Sequence, residues 1–219
     1  MGLLDDLKKQ ADAVRTHDNF KRSVEIENIE AVESAMQRSF RYLHDLLEQL
    51  KVIKPVNPVA YVLPGIGEMR DLAFSDSSID YRTKKFDDKD HYERIDLYVM
   101  WTLPSDLVVD RDIPAAAEKV RQLLWGANVK FSEDEKKGPQ GKLVLTRFKI
   151  PMTVRMDVSL RADYPKRRVQ VIAKNALRTG GDDFAFPADD CGEKLLEDVA
   201  RMLIGQPSDF RQYRTVLAR

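Results

Sequence analysis

The sequence predicts an α+β fold: an antiparallel sheet of about five or six strands, two packed helices, and an N-terminal helical hairpin. Three observations carry this expectation. A long apolar heptad stripe ends at Pro55, the apolar period changes from 3.6 to 2 from Val59 onward, and two later amphipathic segments carry helix start and stop signals. Residues 1–57 are therefore expected to form the helical hairpin and residues 58–219 the sheet domain.

In chain order, Leu3, Leu4, Leu7, Ala11 and Val14 recur at helical spacing, with charged residues between them. That pattern predicts a short amphipathic helix. Thr16, His17, Asp18 and Asn19 are capping-type residues, so a break is expected there before a second helix. In that second helix, positions 29, 32, 36, 39, 43, 46, 50 and 53 form a 3-4-3-4 pattern in which every residue but Ser39 is apolar. Phe40 and Leu47 widen the stripe, which favours docking on the domain's own sheet over a narrow two-stranded seam. Ile29, Val32, Met36, Phe40, Leu43, Leu46 and Leu50 are also the candidate interface for a homodimer through the long helix. Pro55 and Pro58 stop the helix, because neither can continue the hydrogen-bond ladder.

Strands are expected at 59–63, 78–86, 92–103, 129–132, 142–162 (with a bend at Pro151) and 168–175. In 92–103 one phase reads Ile95, Leu97, Val99, Trp101 and Leu103 while the other is mostly polar, the signature of a sheet with one wet face. A helix is expected from Asp112 as N-cap, through Pro114, to Gly126, with Ala117, Val120, Leu123 and Leu124 inside. A last helix is expected after Asp190 as N-cap, with Leu195, Leu196, Val199, Met202 and Leu203 inside and an end at Gly205.

Charge narrows the function classes. The 36 Lys and Arg balance the 36 Asp and Glu, which excludes a generally basic or acidic binder. The balance is local rather than uniform, with a net +8 in residues 140–180 and −6 in 181–200. In the basic block, apolar residues hold the even positions from Val144 to Ala162 except Thr146, while Arg147, Lys149, Arg155 and Arg161 hold odd ones. Arg168 and Lys174 share the outward phase of the next strand. These six cations are the candidate surface for an acidic partner or a small anion. Nucleic acid is disfavoured, because no aromatic rings interleave with the cations on these strands. The plainer alternative is a solvated face whose cations pair with Asp157, Asp163 and neighbouring acids.

Chemistry-bearing motifs are few. Pro64-Gly65-Ile66-Gly67 lacks the third glycine and the strand-to-helix context of a nucleotide loop, and reads as a turn. His17, His44 and His91 are scattered, with His91 expected in a polar hairpin loop. Cys191 sits at a predicted helix N-terminus, which lowers a thiol pKa, but Asp189, Asp190 and Glu193 oppose that effect. The segment 180–190 reads as an acidic loop anchored by Phe184 and Phe186 rather than as a cation site. No catalytic residue, metal or cofactor is expected. The single cysteine and the lack of a long apolar run lead to the expectation of a cytoplasmic protein that is not a membrane component.

The stretches GLLDDLKKQADAVR, LLEQLKVIKPVNPVAYVLPGIGEMRDL and KLLEDVARMLIGQPSDF resemble a group of uncharacterised soluble proteins of about this length encoded in proteobacteria. The resemblance is stronger at both ends than in the middle and implies no activity, cofactor or site residue. On the residues themselves, the expected function is that of a non-enzymatic bacterial adaptor or assembly protein acting through a protein partner. The alternatives are an anionic small-ligand or nucleic-acid binding module on the basic face, and an enzyme whose site is assembled from distant residues.

Overall fold

A computed structural model describes residues 2–86, 88–139, 141, 143–176 and 178–210. Lys142, where the fifth strand was expected to begin, and residues 211–219 of the sheet domain lie outside the described residues.

The N-terminal hairpin is replaced by one continuous helix, α1 (Leu3–Ile53). The expected break at Thr16 does not occur because the Thr16 hydroxyl turns back, donating to the Asp12 carbonyl at 2.8 Å instead of capping the N–H groups ahead. The helix stops where the prolines require it: Lys54 takes a left-handed conformation (φ 47°) and its N–H returns to the Leu50 carbonyl.

Among the described residues nine strands follow: β1 (Val56–Asn57), β2 (Tyr61–Leu63), β3 (Gly67–Met69), β4 (Leu72–Phe86), β5 (Lys89–Arg111), β6 (Ser132–Lys137), β7 (Leu143–Asp163), β8 (Arg168–Lys174) and β9 (Gly181–Pro187). The turn at Pro64-Gly65-Ile66 joins β2 to β3 in a two-stranded sheet, with Gly65 at φ 75°. The other seven strands form one antiparallel sheet in the order β1-β4-β5-β7-β8-β9, with β6 also paired to β7. Strand β9 occupies the segment expected from the sequence to be an acidic loop. Its expected anchors do hold, since Phe184 and Phe186 are buried, and the backbone between them pairs with β8.

The sheet curls at a register break between Thr102 and Asp106 of β5, opposite Pro151 of β7. Beyond the break β7 pairs with β6, and before it with β8. Among the described residues two further α-helices follow, α2 (Pro114–Gly126) and α3 (Glu193–Leu203). The N-cap of α2 is Ile113 rather than Asp112, and that of α3 is Gly192 rather than Asp190, which lies in a 3-10 turn. In neither case does a side chain make the cap bond, so position in the sequence was a poor guide to which residue turns the chain.

The core lies between the inner face of the sheet and the second half of α1. Val32, Met36, Leu43, Leu47 and Leu50 are buried against Ile95, Leu97, Val99 and Trp101 of β5 and Met156, Val158 and Leu160 of β7. Each such side chain contributes about 2 kcal/mol by leaving water. The α3 stripe, Leu195, Leu196, Val199, Met202 and Leu203, is buried as its spacing predicts. Beyond the curl, Ala117, Val120 and Leu124 of α2 join Val109, Phe148 and Ile150 in the same core. Leu123, expected inside, is exposed.

Candidate functional site

The even-odd phase of β7 holds across Pro151. Phe148, Ile150, Met156, Val158 and Leu160 are buried, and Arg147, Lys149, Arg155 and Arg161 point to the opposite face. Val144 departs from the pattern and is exposed near the start of the strand. The six predicted cations do not form one patch. Arg147 and Lys149 lie beyond the curl, where Arg147 holds Asp110 through two bonds of 2.8 and 2.7 Å and Lys149 meets Asp134 at 2.7 Å. These bonds lower the Asp110 and Asp134 carboxyls below the usual carboxylate range. Arg155 binds Asp157 at 2.7 Å and lies 4.1 Å above the Tyr98 ring, and Arg168 binds Asp163 at 2.7 Å. Four of the six are thus committed to acids of their own sheet, as the solvated-face alternative expected. Arg161 and Lys174 make no ion pair among the described residues.

Arg161 has neighbours that the sequence reading did not single out. Register places Arg82 of β4 opposite Arg94 of β5, and Arg94 opposite Arg161 of β7. Three arginines thus stand in a row across adjacent strands, with Gln170 of β8 next in line. The row exists because of a bulge. Near the hairpin end Thr83 pairs with Tyr92, and unbroken register would put Arg82 opposite Glu93, an attractive pair. A shift between Arg82 and Thr83 slides Arg94 into that place instead. The next register step carries Asp80 opposite Asp96, with Ser159 donating to Asp96 at 2.8 Å. Charges on the outer face are therefore banded across the strands. Arg94 Nε approaches Asp96 Oδ2 at 2.8 Å along its own strand, yet this buried N–H has no aligned acceptor. Two cavities open on this face, one of about 600 Å³ over the arginine row and one of about 620 Å³ over Asp80, Asp96 and Tyr98.

At the end of the sheet nearest the row, a polar knot ties the elements together. The Glu33 carboxylate of α1 accepts the Tyr92 N–H at 2.8 Å and the Tyr164 hydroxyl, and lies 3.4 Å from His91 Nδ1. The Tyr164 hydroxyl is pushed well above its ordinary pKa by burial and by its bond to Glu33. His91, expected in a loop, lies in β5 with its ring buried and stacked 3.8 Å from Phe86. Its burial beneath Phe86 makes it a fixed part of the knot rather than a base presented to a cavity.

Cys191 is also closed off. Its thiol lies among Ser39 Oγ (3.3 Å) and the Ala35 carbonyl (3.6 Å), and burial raises its pKa. Desolvation, not helix position, dominates at this thiol. Among the described residues no group of His, Cys, Asp and Glu is arranged to hold a metal ion, and no helix is long and apolar enough to cross a membrane.

The predicted helix interface divides by position. Val32, Met36, Leu43 and Leu50 are buried and Ile29, Phe40 and Leu46 half-buried, with the Phe40 ring set edge-on to Tyr81 at 5.0 Å. The chain's own sheet covers this stripe. The first half of α1 is different: residues 10–27 are exposed throughout and carry Val14, Phe20, Val24 and Ile26 into solvent. Phe20 is 66% exposed. Where this free half leaves the sheet, Phe20, Val24 and Ile29 face Phe86, Tyr164 and Pro165 across a groove of about 800 Å³ rimmed by His17, Lys21, Glu25 and Lys84. Of these residues sequence reasoning singles out only Ile29: Phe20 and Val24 lie outside its stripes, and Phe86 and Tyr164 reach the groove from the end of β4 and the turn after β7. Comparison of the chain with family models, with curated proteins and with solved structures returned no match in any of the three.

Proposed function

We propose that this chain is an adaptor or assembly protein that engages a protein partner through the free half of α1 and the groove at its root. The observation that carries this reading is the exposure of residues 10–27, a helical segment of about 27 Å that none of the described residues buries. An unsupported helix of this length is marginal in water, and single apolar side chains spread along it add no stability of their own. A partner that covers them changes both terms. The groove has the composition of a hot spot: two aromatic rings and a proline on one wall, apolar helix residues on the other, and a charged rim. An apolar or aromatic side chain presented by a partner helix or loop fits it, while Lys21, Glu25 and Lys84 select its flanking charges.

The test is recovery of the full-length chain from the cells that make it, compared with a Phe20→Asp/Val24→Asp variant. The reading expects a stoichiometric companion with the unaltered chain and its loss with the variant, at unchanged thermal stability because both side chains are already exposed. A companion retained equally by both chains, or none with either, overturns it.

A further inference from the structure

We infer that the row Arg82, Arg94, Arg161 is a binding site for a compact polyanion of the diphosphate type, a property that goes beyond the partner-binding reading and does not depend on it. Like charges directly opposite one another in a sheet are destabilising, and here the opposition occurs twice, across β4–β5 and again across β5–β7. The strand bulge that creates it replaces an attractive Arg82–Glu93 register with a repulsive one. Along each strand the row could be neutralised by acids, but only Arg94 is approached by one, Asp96. Arg82 and Arg161 have no ion pair among the described residues, and the buried Nε–H of Arg94 has no aligned acceptor. Donors are therefore in excess on three adjacent strands.

Adjacent strands are about 4.8 Å apart, so the row spans about 10 Å. A single phosphate would satisfy two neighbouring arginines; two linked phosphoryl groups reach all three, each by forked N–H···O bonds. The cavity over the row, about 600 Å³, has room for such a group, with Lys84 and Gln170 as further donors at its edges. Two acids line it as well. Asp163 is already bound to Arg168 at 2.7 Å, and Glu93 is exposed on the bulge. Phe86 and Tyr92 form one wall, so an apolar or ring-bearing substituent on the anion has a surface to lie against.

The test is calorimetric titration of the full chain with inorganic pyrophosphate at low salt, with citrate and a thymidine oligonucleotide as comparison probes. Expected is saturable one-to-one binding of pyrophosphate that exceeds citrate. Arg82→Gln and Arg161→Gln should each weaken it by about tenfold or more, the loss of a charge-assisted contact. The same two variants should raise the melting temperature of the unliganded protein by about 1–3 °C, because each removes a like-charge neighbour. A structural role for these arginines would lower it. Absence of pyrophosphate binding at millimolar concentration, unchanged affinity in both variants, or binding of the oligonucleotide alone overturns the proposal.

Discussion

Gly205 shows how much can rest on one position. It follows α3 with φ 71°, and a Cβ there would lie 2.7 Å from Val59 Cγ2 and closer still to Asn57 Oδ1. Asn57 is itself buried, accepting the Val59 N–H at 2.9 Å and donating to the Tyr61 hydroxyl at 3.2 Å. Gly205→Ala therefore combines left-handed strain with a clash against a fixed amide, and should cost about 3 kcal/mol in denaturant unfolding. Tyr61 carries a second consequence. Burial pushes its hydroxyl up to about 12, so between the ordinary tyrosine value near 10 and that figure the unfolded chain releases a proton that the folded chain retains. Stability is then full below pH 10 and falls as pH rises toward 12. A series of melting curves over that interval should show the fall. The residue scale is also where the sequence was least informative about the anion site. Arg82 and Arg94 are not among the six cations the sequence singles out, because their opposition depends on a one-residue bulge that no period-2 pattern reveals.

At the scale of elements, α1 is two structures in one helix. Its second half is amphipathic in the ordinary sense, and the 3-4 stripe correctly marked Val32, Met36, Leu43 and Leu50 as buried. Its first half has apolar residues too, but residues 10–27 are exposed among the described residues. Val32→Ala or Met36→Ala should cost about 2–4 kcal/mol, while Val14→Ala and Ile26→Ala should leave stability within about 0.5 kcal/mol, as judged by unfolding midpoints. Strong destabilisation from Val14→Ala would show that the first half is docked after all. The strands of the long central hairpins were legible from alternation, since one face is dry along most of β5 and β7. The hairpin break at Thr16 was misread because capping residues inside a helix can satisfy themselves backward. The strand β9 was missed because Gly180, Gly181 and four aspartates in 181–190 read as a loop, while Phe184 and Phe186 alone carried the apolar signal.

For the whole molecule, zero net charge conceals a working division. Residues from the acidic segment do fold against the cations, through Asp189 to Arg167 at 2.7 Å and Asp182 to Arg178 at 2.8 Å. Asp110 and Asp134 neutralise the cations beyond the curl. Arg82 and Arg161, which make no ion pair among the described residues, stand at the end of the molecule where the arginine row, the Glu33–His91–Tyr164 knot and the root of the free helix meet around Phe86 and Tyr164. Exposed apolar side chains also occur at the two ends of α2, Ile113 and Trp125, away from the groove that Phe20 and Val24 line. This contrast allows the most direct test of the partner-binding account: a photo-cross-linking residue placed in turn at positions 20, 24, 113 and 125 of the full-length chain, in the cells that make it. The account predicts one discrete protein adduct from positions 20 and 24 and none from 113 and 125. No adduct from 20 and 24, or the same smear from all four, would contradict it.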